Sequence, residues 1–93
     1  MTTTLEGSSR PRLAPGVRLR HDKVRDAWVL LAPESLIEAN AVAVEVLRRC
    51  NGQVTLDELV DDLATAFTAD RAVIDADVRP LLAELAEKRL VDL

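Results

Sequence analysis

The sequence has no tyrosine, one tryptophan (Trp28), one phenylalanine (Phe67), one histidine (His21), one cysteine (Cys50) and three glycines. Each scarcity excludes a class of function. Two aromatics do not build the stacking platform on which single-stranded nucleic acid lies. A lone cysteine closes no intramolecular disulfide, and with a lone histidine it signals neither a zinc site nor a Cys/His nucleophile pair. The isolated glycines form no phosphate-cradling loop, and no serine sits in a nucleophile elbow. No apolar run approaches the ~20 residues that cross a bilayer, and Met1 to Arg10 lacks the apolar stretch of a signal peptide. The reducing cytoplasm is the expected compartment. A chain of 93 residues makes one small core, burying roughly 60–65% of its unfolded surface. Little is left to enclose a substrate, so no enzyme, catalytic residue, metal or cofactor is expected.

What is there is 48% apolar and 30% charged, with a net charge of −4. That sign is wrong for a phosphate-binding surface. The charge is also uneven. Six bases (Arg10, Arg12, Arg18, Arg20, Lys23, Arg25) face three acids (Glu6, Asp22, Asp26) over residues 1–33, against six bases and thirteen acids over 34–93. The front is basic and the back acidic. The basic front reads either as the polar exterior of a sheet or as a docking patch for an acidic protein.

Residues 1–11 are expected to be a flexible tail or linker, disordered over 1–9, because Thr2-Thr3-Thr4-Leu5-Glu6-Gly7-Ser8-Ser9 is small, polar and without period. From Val17 the period is two, with Val17, Leu19 and His21 on one face and Arg18 and Arg20 on the other. Asp22 to Asp26 is of hairpin length. Ala27-Trp28-Val29-Leu30-Leu31 is apolar on both faces, as in a central strand, and Pro33 breaks it. Glu34 to Glu38 reads as a third strand with acids flanking a free edge.

After Asn40, a candidate N-cap, the period becomes helical through Ala39, Val42, Ala43, Val46, Leu47 and Cys50. Thr55-Leu56-Asp57-Glu58 is a capping box that opens a second helix. The pattern Leu56, Leu59, Val60, Leu63, Ala64, Phe67 continues it. Ile74, Val78, Leu81, Leu82 and Leu85 mark a third helix, expected from about Arg71 to Lys88 and kinked at Pro80. The apolar tail Leu90, Val91, Leu93 is expected to pack back on the core. The fold class that follows is α+β and winged-helix-like: a three-stranded antiparallel sheet followed by a three-helix bundle.

Cys50 and His21 read as structural residues, and the pairs Asp57-Glu58, Asp61-Asp62 and Asp75-Asp77 as solvated helix faces and starts. This order is compatible with a winged-helix DNA-binding domain and with a structural dimerisation domain. The acidic second and third helices disfavour the first of these. The remaining feature is the outer edge of the third strand. An extended peptide can add there, taking affinity from main-chain hydrogen bonds. The third helix would lie alongside, with Leu36, Ile37, Val78 and Leu82 in the floor.

The runs Arg10-Pro11-Arg12-Leu13-Ala14-Pro15-Gly16-Val17-Arg18-Leu19, Trp28-Val29-Leu30-Leu31-Ala32-Pro33-Glu34 and Ala43-Val44-Glu45-Val46-Leu47-Arg48-Arg49-Cys50-Asn51-Gly52 resemble the PqqD family of pyrroloquinoline quinone (PQQ) biosynthesis. Leu81-Leu82-Ala83-Glu84-Leu85 and Leu90-Val91 fit as well, whereas Lys88-Arg89 stands where such proteins often have an arginine-glycine turn. The resemblance covers about residues 10–93 and places a PqqD-like peptide-binding domain over 12–93. It implies a peptide chaperone, a RiPP recognition element, that binds the PqqA precursor peptide as an added strand. It further implies presentation of that peptide to the radical SAM enzyme PqqE, which joins a glutamate and a tyrosine of it. Fusion to, or association with, PqqC is also implied; nucleic acid and membrane are not. The expected peptide-binding residues are Glu34, Ser35, Leu36, Ile37, Glu38, Asp75, Val78, Arg79, Leu82 and Leu85. Arg79 is expected to pair with a precursor carboxylate.

Overall fold

The structure is a computed structural model that describes residues 5–93. Its elements are β1 (Arg12–Leu13), β2 (Arg18–Asp22), β3 (Ala27–Ala32), β4 (Ser35–Ala39), α1 (Ala41–Arg48), α2 (Leu56–Ala66), α3 (Arg71–Glu87) and β5 (Val91–Asp92). The strands β2, β3 and β4 form an antiparallel meander, and β1 pairs with β5 in a separate two-stranded sheet. This is the α+β arrangement expected, a three-stranded antiparallel sheet plus three helices.

Turn chemistry sets the meander. Between β2 and β3 the Asp22 carboxylate accepts the Val24 amide at 2.9 Å, and Asp26 takes a left-handed φ of 51°. An Asx turn of this kind reverses the chain within a few residues. Between β3 and β4, Pro33 and Glu34 alone make the turn, closing on the Ala32–Ser35 pair. Register then puts Leu30 opposite Leu19 and Ile37, all toward the helices.

The helix starts fall where the caps demand. Asn40 Oδ1 accepts the Ala43 amide at 2.8 Å, and the Thr55–Glu58 capping box is complete in both directions. α3 runs unbroken through Pro80. Pro80 and Ala76 are both exposed, so the ring that removes the bond to the Ala76 carbonyl does so on the solvent side. The core joins Leu30 to Val46, Leu56, Leu59, Val60, Leu63, Val78 and Leu82, all essentially inaccessible.

Several expectations are corrected. On α1 it is Val44, which lines a concavity with Trp28, that is buried, while Val42 is 39% exposed. Phe67 closes α2 at 40% exposure and stays outside the core. Arg48 lies 4.9 Å over the Trp28 ring, and the His21 ring is steeply inclined to it with the two centroids 5.3 Å apart.

Residues 5–9 were expected to be free, and they are bonded to the domain. The Ser9 and Gly7 carbonyls accept the Leu56 and Asp57 amides at 2.8 and 3.1 Å. With the Thr55 hydroxyl on Glu58, this satisfies three of the amides that a helix start leaves orphaned. Leu5 packs on the core and Pro11 is fully buried. Residues 1–4 of the expected tail lie outside the described residues. The β1–β5 pairing, in register Arg12 with Asp92 and Leu13 with Val91, explains how the apolar tail packs back. Leu90 and Val91 are buried by it.

Candidate peptide-binding edge

Among the described residues β4 pairs only with β3, so its other side is open. Which atoms face that open side follows from the turn. A two-residue connection closes on a hydrogen-bonded pair, and in an antiparallel ladder such pairs alternate with pairs that turn their amides and carbonyls outward. Ser35, Ile37 and Ala39 therefore bond to β3. Leu36 and Glu38 direct their N–H and C=O groups to the free edge.

α3 and the residues that follow it come near the two ends of β4. At the far end of β4, Asn40, Val42 and Ala43 form a concavity of about 250 Å³ with Asp77 and Leu81. At the near end, Pro33, Glu34 and Ser35 share one of about 380 Å³ with Lys88, Arg89 and Leu90. The first residues of β4 thus lie near the end of α3, and the two run antiparallel. The near end carries Lys88 and Arg89 beside Glu34, and the far end carries Asp77.

The expected peptide-binding residues separate into three groups. Glu34 lies in the turn, and Ser35, Leu36, Ile37 and Glu38 lie on β4. Leu36 is 44% exposed, on the sheet face away from the helices, whereas Ile37 is half-buried against the core. Val78, Leu82 and Leu85 belong to the core cluster, with exposures of 1%, 0% and 5%. Asp75 and Arg79 are joined to each other at 2.9 Å, and the Arg79 guanidinium also donates to the Leu5 carbonyl at 2.9 Å. Arg79 therefore already has an internal acceptor and a carboxylate. The residues of α3 and its C-cap that reach the concavities are Asp77, Leu81 and Lys88, none of them among the expected peptide-binding residues. The legible signal is the i, i+4 spacing of Asp77 and Leu81 beside the buried stripe, with Leu81 partly buried against the core.

Nothing at this edge has the make-up of a reaction centre. Cys50 is buried, donates to the Val46 carbonyl at 3.2 Å, and burial pushes its thiol up to about 12. Such a thiol is inert as a nucleophile. No cluster of three or more metal-ligating side chains occurs among the described residues. What the edge offers is backbone hydrogen bonds beside apolar and charged concavities, which is the chemistry of strand capture.

The family model described as coenzyme PQQ synthesis protein D (PqqD) matches residues 27–91. The chain belongs to the PqqD family. It is 45% identical over 91 residues to a PqqA binding protein of Xanthomonas oryzae pv. oryzae, covering 98% of this chain and 99% of that one. It is 44% identical over 90 residues to the bifunctional coenzyme PQQ synthesis protein C/D of Methylorubrum extorquens, matching 97% of this chain and 24% of that longer one. Solved PqqD structures agree with the fold. The solution structure of the PqqD truncation of Methylobacterium extorquens PqqCD, described as a functional and stand-alone RiPP recognition element, superposes with a TM-score of 0.84 at 44% identity, covering 98% of this chain and 97% of that one. The crystal structure of PqqD from Xanthomonas campestris gives 0.61 at 43% identity, covering 97% and 100%. The PqqD family match spans β3, β4 and all three helices, and so contains the whole of the candidate edge.

Proposed function

We propose that this chain is a peptide chaperone of PQQ biosynthesis that binds the PqqA precursor as an added strand on the free edge of β4 and presents it to the radical SAM enzyme PqqE. The observation that carries this reading is the open β4 edge, with α3 near its ends, in a chain 45% identical to a PqqA binding protein. The Leu36 and Glu38 backbone groups supply up to four hydrogen bonds to the peptide. Alternate peptide side chains then face α3, over Ile37 and beside Leu81, or the outer sheet face beside Leu36. Val78, Leu82 and Leu85 support that wall from the core.

The chain contributes binding and no bond chemistry. Holding the precursor on a protein that also contacts the enzyme turns a bimolecular encounter into a tethered one and raises the effective concentration of substrate. Association with PqqC is supported by the C/D relative, in which the two are one polypeptide. We place the protein in the cytoplasm; none of its helices is long and apolar enough to cross a membrane among the described residues.

A backbone amide-shift titration with the PqqA peptide tests the proposal. Perturbations are expected at 34–38 and along α3 over 75–88. Silence at saturating peptide, or shifts confined to the β2 edge, would sink it.

A further inference from the structure

An antiparallel sheet with one face on the core alternates apolar with polar residues, and β3 does not. Leu30 enters the core cluster. Val29 is only 2% exposed and Leu31 is half-buried, yet both point to the opposite face, outside that cluster. The register places Val29 between Arg20 and Glu38, and Leu31 between Arg18 and Leu36. The outer face therefore carries a second apolar strip, in which Val29 is shielded by its neighbours in the sheet, Leu31 is half-buried and Leu36 is 44% exposed. With Arg20, His21, Asp22, Lys23 and Val24 it lines a concavity of about 540 Å³.

The charge around this strip is one-sided. Arg25 pairs with Asp22 and His21 with Asp26 at the hairpin end. Arg18, Arg20 and Lys23 are exposed and form no ion pair among the described residues, on a chain whose net charge is −4. Glu38, at the β4 edge, is the carboxylate set against them across the strip. An apolar centre with a rim of uncompensated cations complements a surface with an aliphatic centre and acidic rim.

We propose that the outer face of the β2–β3–β4 sheet is a docking surface for an acidic, aliphatic-bearing surface of the enzyme that processes the bound peptide. The face ends at Leu36 and Glu38, where the peptide is proposed to add. An added strand extends it, turning every second peptide residue toward the same side as Leu31 and Leu36. The enzyme then touches chaperone and cargo on one continuous sheet. The identity of the partner rests on the function proposed above, whereas the chemistry of the face does not.

The test compares the full chain with its Arg18→Glu/Arg20→Glu and Arg18→Lys/Arg20→Lys variants, each checked for folding by its circular-dichroism melt. Binding to PqqE and to the PqqA peptide is measured separately, at low and at physiological salt. Charge reversal is expected to weaken the enzyme complex by roughly tenfold or more, with the lysine variant close to wild type and peptide affinity the same in all three. Added salt should weaken the wild-type enzyme complex and spare the reversed one. Unchanged enzyme affinity in the reversed variant overturns the proposal, as does a wild-type chain that binds peptide but not enzyme. A wild-type dimer that charge reversal dissociates in sedimentation would assign the face to a second copy and overturn it too. If the peptide titration is silent while charge reversal still weakens the enzyme complex, the docking face stands and the peptide reading fails.

Discussion

A proline at Leu36 separates binding from folding more cleanly than any other single change on β4. By the alternation set at the Ala32–Ser35 pair, the Leu36 amide points away from β3, so its loss leaves the β3–β4 ladder intact. The side chain is 44% exposed and outside the core cluster, so little apolar burial goes with it. Leu36→Pro is therefore expected to leave the fold standing and to remove one of about four backbone hydrogen bonds to the peptide. A typical net hydrogen bond contributes about 0.5–1.5 kcal/mol, which converts to a loss of roughly two- to tenfold in affinity. The proline ring adds to this by occupying the line along which the peptide carbonyl approaches. Ile37→Pro is the internal control. Its amide faces β3 and its side chain packs on the core, so it should lower the melting temperature sharply. Calorimetric titration with the PqqA peptide, beside thermal melts, reads both quantities. A Leu36→Pro chain that melts like wild type and binds peptide with unchanged affinity would refute the edge geometry. A Leu36→Pro chain that unfolds while Ile37→Pro does not would refute the alternation.

Four further outcomes follow from the helix ends and the core. Thr55→Ala removes the hydroxyl that accepts the Glu58 amide and should cost about 1 kcal/mol, a fall of roughly 4–8 °C in Tm for a domain of this size. The Thr55 backbone amide, then its hydroxyl, holds the Glu58 carboxyl below its usual value. The charged form is thus favoured by folding, so its contribution is present above the ordinary glutamate range near ~4.3 and is lost as pH falls through the lowered folded value. Acid titration of Glu58→Gln should accordingly show a shallower stability loss than wild type in that window. Arg89 occupies a left-handed φ of 61° just past the end of α3, a conformation that costs a side-chain-bearing residue roughly 1 kcal/mol. Arg89→Gly should raise Tm by a few degrees, and a lower Tm would show that the arginine makes a compensating contact. Cys50 should resist iodoacetamide at pH 8 in the folded protein and react only as the chain unfolds, because its thiol is pushed up to about 12 by burial. Rapid native alkylation would contradict that burial.

Where local chemistry decides, the sequence and the structure agree closely. Asn40 and Thr55 cap the helices that they were expected to cap, because a side-chain oxygen two or three residues before a helical amide meets it regardless of the rest of the fold. The meander follows for the same reason: period two, a polar connection and Pro33 are all local signals. Partners distant in sequence were not legible. Two-residue strands have no period, so β1 and β5 show only once the chain ends are brought together. The docking of Leu5 to Ser9 depends on amides at Leu56 and Asp57, some fifty residues away in the chain, and a polar tail has no composition that announces it.

The same limit divides the candidate site. Periodicity locates the apolar stripe of α3, but a stripe is marked apolar for packing before it is marked for binding. The strongest positions, Val78 and Leu82, went to the core, and the flanking Asp77 and Leu81, with Lys88 just past the helix, line the concavities near the two ends of β4. Arg79 has a partner the sequence shows, Asp75 one turn earlier, and a second it does not, the Leu5 carbonyl, which is a backbone atom far away in the chain. On β4 the opposite holds. The useful groups there are the Leu36 and Glu38 amides and carbonyls, which every residue possesses. Their direction is decided by a two-residue turn whose length is plain in the sequence. An edge that binds through its backbone needs no conspicuous side chains, and the poverty of reactive residues in this chain costs such a function nothing.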